Sequence, residues 1–313
     1  MKRVVGIDAD LITYSAGFVM QKKIDEGTAV NINNAQQIID TIIRKILRGS
    51  RATHYLGFLT NSPKNFRLKR ATTLEYKGNR TAAKEAKPIP FKKEMINYMI
   101  VHWGFQFVTG IEADDALTIV GEILRDMDDE QYILATKDKD LWQWEGEHYN
   151  MNTNALMFIN TEQANRNLWK QVLTGDMGTD NIPGLSHAAK YEQDCFLNED
   201  GSVDKTKRPL AEFLVGDKGA VKLLDLWKSE DYAERILELY ISSYGQWGDE
   251  EDDDFGADRF YETFDLVYML LEAPEGVRVH TKYRKCTKKD LETPTGFEGY
   301  KKNDSVGFSV VDY

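Results

Sequence analysis

Gly110-Ile111-Glu112-Ala113-Asp114-Asp115-Ala116 sets three carboxylates in four consecutive positions, after a candidate strand at 105–108 and before a stretch with helical periodicity. Thr136-Lys137-Asp138-Lys139-Asp140 repeats the arrangement after the run 132–135, and Asp8 and Asp10 follow Val4-Val5-Gly6-Ile7. A further pair, Asp176 and Asp180, lies in Gly175-Asp176-Met177-Gly178-Thr179-Asp180-Asn181-Ile182-Pro183-Gly184. Each cluster follows, or opens beside, a segment that reads as a buried strand. Carboxylates gathered at strand ends repel one another unless a cation lies among them. The economical cation is a divalent metal, and the chemistry that two such ions do best is phosphodiester hydrolysis.

Outward from these clusters the chain alternates. Strands are expected at 4–8, 55–59, 105–108 and 132–135. Between them, 35–47 reads as a helix burying Ile38, Ile39, Ile42, Ile43 and Ile46, and a helix over 91–103 follows Pro88 and Pro90. Residues 112–125 form another, with Ala116, Leu117, Val120, Ile123 and Leu124 on its apolar side. This pattern predicts an α/β fold, a mostly parallel twisted sheet with helices on both faces. Sites in such sheets lie outside the carboxyl ends of the strands, where most of the acids fall.

From 167 onward the pattern turns helical, with helices expected at 210–227, interrupted by Gly216-Asp217-Lys218-Gly219, and at 233–244. Polar residues near 195–208 read as an insertion, the run 249–254 as a linker, and 260–271 as one more helix; the tail from 275 has no assignment. The expected division is a core over 1–166, a helical part over 167–248 and an extension over 249–313.

Composition narrows the classes. No apolar run reaches the roughly 18 residues that a spanning helix needs. The N-terminus enters a strand without a signal peptide's apolar region, and Cys195 and Cys286 are too few for a disulfide framework. A cytoplasmic setting is therefore expected. The net charge of −11 argues superficially against a nucleic-acid partner, but the charge is segregated. Across 61–93, Lys64, Arg67, Lys69, Arg70, Lys77, Arg80, Lys84, Lys87, Lys92 and Lys93 are opposed only by Glu75 and Glu85, whereas 249–254 are all acids. Such a window presents a basic surface to phosphates. A solvated loop or helix face is the plainer explanation of it.

Each acidic site has an ordinary explanation too. Glu112 and Asp115, at i, i+3, suit a helix N-terminus, as do Asp8 and Asp10, while Asp138 and Asp140 suit a solvated turn. Their coincidence at one end of one sheet is what these explanations leave unaddressed.

The ordered set of motifs resembles the flap endonuclease superfamily, in particular bacteriophage 5′→3′ exonucleases and the 5′-nuclease domain of bacterial DNA polymerase I. The resemblance rests on Ile7-Asp8-Ala9-Asp10, Glu75-Tyr76-Lys77-Gly78-Asn79-Arg80, Glu112-Ala113-Asp114-Asp115, Lys137-Asp138-Lys139-Asp140 and Gly175-Asp176 through Asp180-Asn181-Ile182-Pro183-Gly184, and spans roughly 4–225. It implies two Mg²⁺ or Mn²⁺ ions. Asp8, Glu112 and Asp114 would hold the first, directly or through water, with Asp115 between the two sites. Asp138, Asp140, Asp176 and Asp180 would hold the second. Lys77 and Arg80 match the family's helical-gateway cations, and would share one helix face and meet the scissile phosphate. Tyr76 would stack on a terminal base or simply pack. Arg67, Lys69, Arg70 and Lys84 would belong to an arch over the 5′ end. A split helix–three-turn–helix, with 181–185 as its first half and 215–224 as its second, would grip duplex backbone. There Gly216, Lys218 and Gly219 would meet a phosphate and the loop carbonyls would hold K⁺.

The chain departs from the family pattern in three places. Asn61 stands where an Asp is usual, Asp176 and Asp180 are spaced one residue wider, and about 30 residues separate the halves of the DNA-gripping motif. The implied activity is a structure-selective 5′ nuclease of replication, repair or genome degradation in a phage-infected cell. It would act on DNA with a free 5′ end, a flap or a nick, or on an RNA–DNA hybrid. Two other readings stay open: a haloacid-dehalogenase-type phosphatase with Asp8 as nucleophile and Asp10 as acid/base, and a DNA-binding accessory protein with a degenerate site.

Overall fold

The computed structural model describes residues 1–61, 65–80, 88–188, 215–244 and 254–292. The expected insertion near 195–208, all but the last acid of the run 249–254, and Lys64, Lys84 and Lys87 lie outside the described residues. The chain divides into two compact units that interleave in sequence. The first comprises 1–65, 86–159 and 269–313; the second comprises 66–85 and 160–268. Composition had suggested three consecutive segments instead.

The first unit is built on a mostly parallel sheet. Strands β1 (Lys2–Asp8), β2 (His54–Thr60), β3 (Gln106–Val108), β4 (Glu130–Thr136), β5 (Gly146–Asn150) and β6 (Ala155–Ile159) are ordered β3-β2-β1-β4-β5-β6. All neighbours are parallel except β5 and β6, which form an antiparallel hairpin, and a short strand Arg284–Lys285 that pairs antiparallel with β2. Strand order reverses between β1 and β4, which pair from Lys2↔Glu130 to Ile7↔Ala135. That reversal is the switch point at which open α/β sheets place their sites.

Helices α1 (Ala9–Asp25), α2 (Ile32–Gly49) and α3 (Lys92–Tyr98) pack on one face of the sheet. Val5, Ile7, Tyr55, Leu59, Ile133 and Ala135 meet Ile12, Ala16 and Met20 of α1 and Ile39, Ile43 and Leu47 of α2, all buried. Helix α2 starts three residues before the expected 35, and Asn31 and Asn34 close its first turn reciprocally. The helix expected over 91–103 begins as α3 and ends in a π-helical turn at Met99–Trp103. On the other face lies α4 (Ala113–Arg125), and Tyr132 of β4 donates its hydroxyl to the Leu117 carbonyl.

Helix α1 and strands β5 and β6 had no counterpart in the sequence reading. Helix α1 buries small residues, Ala9, Ala16 and Gly17, beside Ile12 and Met20, so its apolar stripe is faint.

The second unit is helical apart from one short ladder. Helices α5 (Thr161–Thr174), α6 (Asp217–Leu226), α7 (Tyr232–Tyr244) and α8 (Phe255–Val267) enclose a core of Val172, Leu173, Leu224, Ile236, Tyr240 and Phe260. The helix expected at 260–271 is instead α8, starting five residues earlier. It stops because Tyr268 turns extended, and the buried guanidinium of Arg67 takes the carbonyls of Leu266 (2.9 Å) and Tyr268 (2.6 Å).

Candidate active site

The first unit gathers its acids at the carboxyl ends of β1, β2 and β4. Asp8 ends β1, caps α1 by accepting from the Leu11 N–H at 3.2 Å, and is 3% exposed. Asp10 accepts from the Thr60 N–H at the end of β2 (3.1 Å). Asp114 lies in the first turn of α4, and its carboxyl is one of the groups that act on Asp8. Asp115 is fully buried and accepts the N–H of Glu112 at 3.0 Å and of Leu270 at 3.2 Å. Asp138 receives the Asp140 N–H at 2.9 Å, while Thr136 Oγ1 receives that of Asp138 at 2.9 Å, so both acids sit in a tight turn beyond β4.

Electrostatics follow from burial. Desolvation, then the charge of Asp10 and Asp138, pushes Asp8 up to about 8. Desolvation, with Glu112 nearby, raises Asp10 as well. Lys137 supplies a counter-charge that the sequence reading missed. Burial lowers its pKa more than Asp8 and Asp138 raise it, so the net shift is downward, and its Nζ donates to Ser15 Oγ at 3.3 Å. Lys137 directly precedes Asp138 in sequence; nothing in the sequence marked Ser15.

The donor set is all oxygen and mutually repelling, with Asp8 and Asp115 buried and Glu112, Asp114, Asp138 and Asp140 half-buried, which fits a hard divalent cation. Among the described residues, no group of three or more His, Cys, Asp or Glu side chains could hold a metal ion as it stands. The capping explanations hold as well: Asp8 caps α1, and Glu112 with Asp115 forms a capping box on α4. Asn61, at the position where the family has Asp, gives its amide to Thr109 Oγ1 at 3.1 Å.

In the second unit Gly175–Asp176 pairs antiparallel with Ile182–Pro183. Gly175 holds φ 61°, and a Cβ there would lie 2.4 Å from the Gly184 nitrogen; only glycine permits the approach. The ladder frames the loop 177–181, against which residues 75–80 lie. Asp176 accepts the Thr179 N–H at 2.9 Å, and burial raises its pKa. Asp180 receives the Tyr76 hydroxyl (3.0 Å), pairs with Lys77 Nζ (3.6 Å) and forms a short ion pair with Arg80.

Several expectations for this region are corrected. Lys77 and Arg80 do not share a helix face. Lys77 sits in a turn with φ 59°, and helix begins only at Asn79. Tyr76 is 4% exposed, packed in the second unit's core, so its ring is not offered to a base. Arg67 is 1% exposed and caps α8, so it is no arch cation. Arg70 pairs with Asp265, Lys69 is exposed, and Lys84 is outside the described residues.

Gly216 and Lys218 are exposed and Gly219 half-buried at the start of α6. Ser186 Oγ donates to the Val215 carbonyl (3.0 Å) and accepts its N–H (2.7 Å), so the turn Leu185–His187 meets the start of that segment despite the long separation in sequence.

A family model described as 5′-3′ exonuclease, N-terminal resolvase-like domain, matches residues 3–170. The fold is similar to that of the T5 D15 protein co-crystallised with metal ions, at 15% identity and a TM-score of 0.51, over 85% of this chain and 89% of the other. It is also similar to T5 5′-exonuclease with divalent metal ions (zinc) bound, at 15% identity and a TM-score of 0.50, over the same shares of the two chains. At such identity the likeness is one of fold. No curated protein matches the chain. Among the described residues no helix is long and apolar enough to cross a membrane. With the family match covering more than half of its residues, the chain belongs to the 5′–3′ exonuclease family, a family of nucleases.

Proposed function

We propose that this nuclease is a structure-selective, divalent-metal-dependent 5′→3′ exonuclease and flap endonuclease, hydrolysing DNA phosphodiesters near a free 5′ end and leaving 5′-phosphate. The observation that carries the reading is the carboxylate cluster around the buried Asp8 at the β1/β4 switch point, in a chain of this family. Asp8, Glu112, Asp114, Asp115, Asp138 and Asp140, all of the first unit, would supply the oxygen donors. Two Mg²⁺ or Mn²⁺ ions, when bound, activate the attacking water and stabilise charge on the phosphate.

The chain's own residues do the rest. Asp115, fixed by two backbone N–H groups, holds the start of α4 and its neighbours Glu112 and Asp114 in register. Lys137 offsets part of the carboxylate charge. Lys77 and Arg80 bind the scissile phosphate, Lys as a point charge and Arg as a fork. Lys69, Lys84 and the remaining basic window attract the single strand without reading its sequence. The Ser186–Val215 contact supports the split helix–three-turn–helix, in which Gly216, Lys218 and Gly219 meet duplex backbone and K⁺ is held by loop carbonyls.

One substrate panel tests the reading: the same 5′ end as flap, nick, blunt duplex and RNA–DNA hybrid, with Mg²⁺, Mn²⁺ or chelator. Metal-dependent release of 5′-phosphorylated products is expected. Cleavage of terminal phosphomonoesters alone would favour the phosphatase, and binding without cleavage the accessory protein.

A further inference from the structure

Five of the six residues from Glu75 to Arg80 are tied to the loop 177–181. The Lys77 N–H donates to the Asp180 carbonyl at 2.7 Å, and Arg80 Nε to the Thr179 carbonyl at 2.9 Å. Asn79 donates to the carbonyls of Gly178 (2.9 Å) and Met177 (3.2 Å). From the loop, Asn181 returns an amide bond to the Glu75 carbonyl at 2.9 Å. At the centre, the Asp180 carboxylate takes the Tyr76 hydroxyl, Lys77 and Arg80, with its own side chain only 14% exposed.

We propose that Asp180 is a positioning residue for Lys77 and Arg80, and not a ligand of the second metal. Its carboxylate is committed to two cations and a phenol, a set that resists exchange for an ion because each partner would lose a largely desolvated counter-charge. The loop that carries it is one residue longer than the family pattern. Three successive carbonyls, of Met177, Gly178 and Thr179, face Asn79 and Arg80. A guanidinium carries five N–H donors, so Arg80 can hold the loop and still present donors to a phosphate. The left-handed backbone at Lys77 and Asn181 persists because both residues are held from across the loop.

The proposal rests on the nuclease reading, and the full chain tests the two separately. Mn²⁺ binding is measured by titration calorimetry without DNA, and single-turnover cleavage of a 5′ flap at saturating Mg²⁺. Asp180→Asn is expected to leave Mn²⁺ affinity within about twofold of the native chain while slowing cleavage at least tenfold, with no recovery at higher Mg²⁺. In an Arg80→Ala background the same substitution costs less than in the native chain, since part of its effect runs through Arg80 and only the part through Lys77 remains. A tenfold loss of Mn²⁺ affinity, or rescue by added Mg²⁺, would overturn the proposal, as would additive effects of the two substitutions. If Asp180→Asn unfolds by circular dichroism, Tyr76→Phe removes one hold on the carboxylate and is expected to slow cleavage severalfold at unchanged Mn²⁺ affinity. Normal cleavage by Tyr76→Phe would then overturn it. If the native chain cleaves no flap, the nuclease reading fails alone, and the coupling of Asp180 to Arg80 is read from flap affinity in chelator.

Discussion

Leu270 donates its backbone N–H to Oδ1 of Asp115 at 3.2 Å, while Glu112 donates to Oδ2 at 3.0 Å. A residue that the sequence presents as a bridge between metals is therefore also the peg on which the start of α4 and the segment after Met269 hang. Asp115→Asn puts an amide N–H where an acceptor is required. We predict loss of cleavage, retained DNA binding, and a stability loss of about 1–3 kcal/mol in denaturant melts. Near-normal turnover would remove Asp115 from the metal site.

Asp8→Asn tests burial of charge. Because the pKa of Asp8 is raised in the fold, native stability in chelator falls as pH rises from the ordinary carboxylate value of 3.8 through about 8. Asn keeps the cap on Leu11 and carries no charge, so its thermal midpoint should fall less steeply over that range, with the raised Asp10 leaving a residual slope, and exceed the native one near pH 9, with cleavage abolished. A parallel decline in both proteins would place the pH dependence elsewhere.

Lys77→Ala separates chemistry from affinity. If Lys77 stabilises charge on the reacting phosphate, single-turnover cleavage falls about a hundredfold while flap affinity moves little. A change confined to affinity would make Lys77 a clamp on the backbone.

Glu262, 6% exposed, tests what holds the base of the 75–80 segment. It accepts the N–H groups of Thr72 (2.6 Å) and Thr73 (2.8 Å) and pairs with Arg259 at 2.7 Å. Burial alone would raise its pKa, but the Thr73 and Thr72 bonds and Arg259 outweigh it and the net shift is downward. Its stabilisation is therefore present above the ordinary value of 4.5 and lost as pH falls through the lower folded value. Glu262→Gln should cost about 1–3 kcal/mol at neutral pH, a gap that narrows in melts below pH 4.5. A gap independent of pH would argue against an ionised Glu262.

The parallel core was legible because its strands are buried on both faces and its helices carry strong stripes, as in the Ile repeat of α2. Runs of that kind need no tertiary information to be read. Helix α1 was not legible, since Ala9, Ala16 and Gly17 give a weak stripe, and neither was the β5–β6 hairpin, whose strands alternate poorly. The acidic positions were readable as types and spacings; that burial and the charges of Asp10 and Asp138 act together on Asp8 was not.

Sequence by itself determined the strand–helix alternation, the family and the chemical type of each candidate residue, because these depend on neighbours along the chain. Only the tertiary structure decided which charges are already spent. Arg67 is consumed in capping α8, Tyr76 in the core, and Asp180 on Lys77 and Arg80, while Lys137 stands among the acids beside Ser15. The partners in all of these contacts lie about a hundred or more residues apart. An ion pair or a buried hydrogen bond is fixed by distance in space, and no local pattern encodes it.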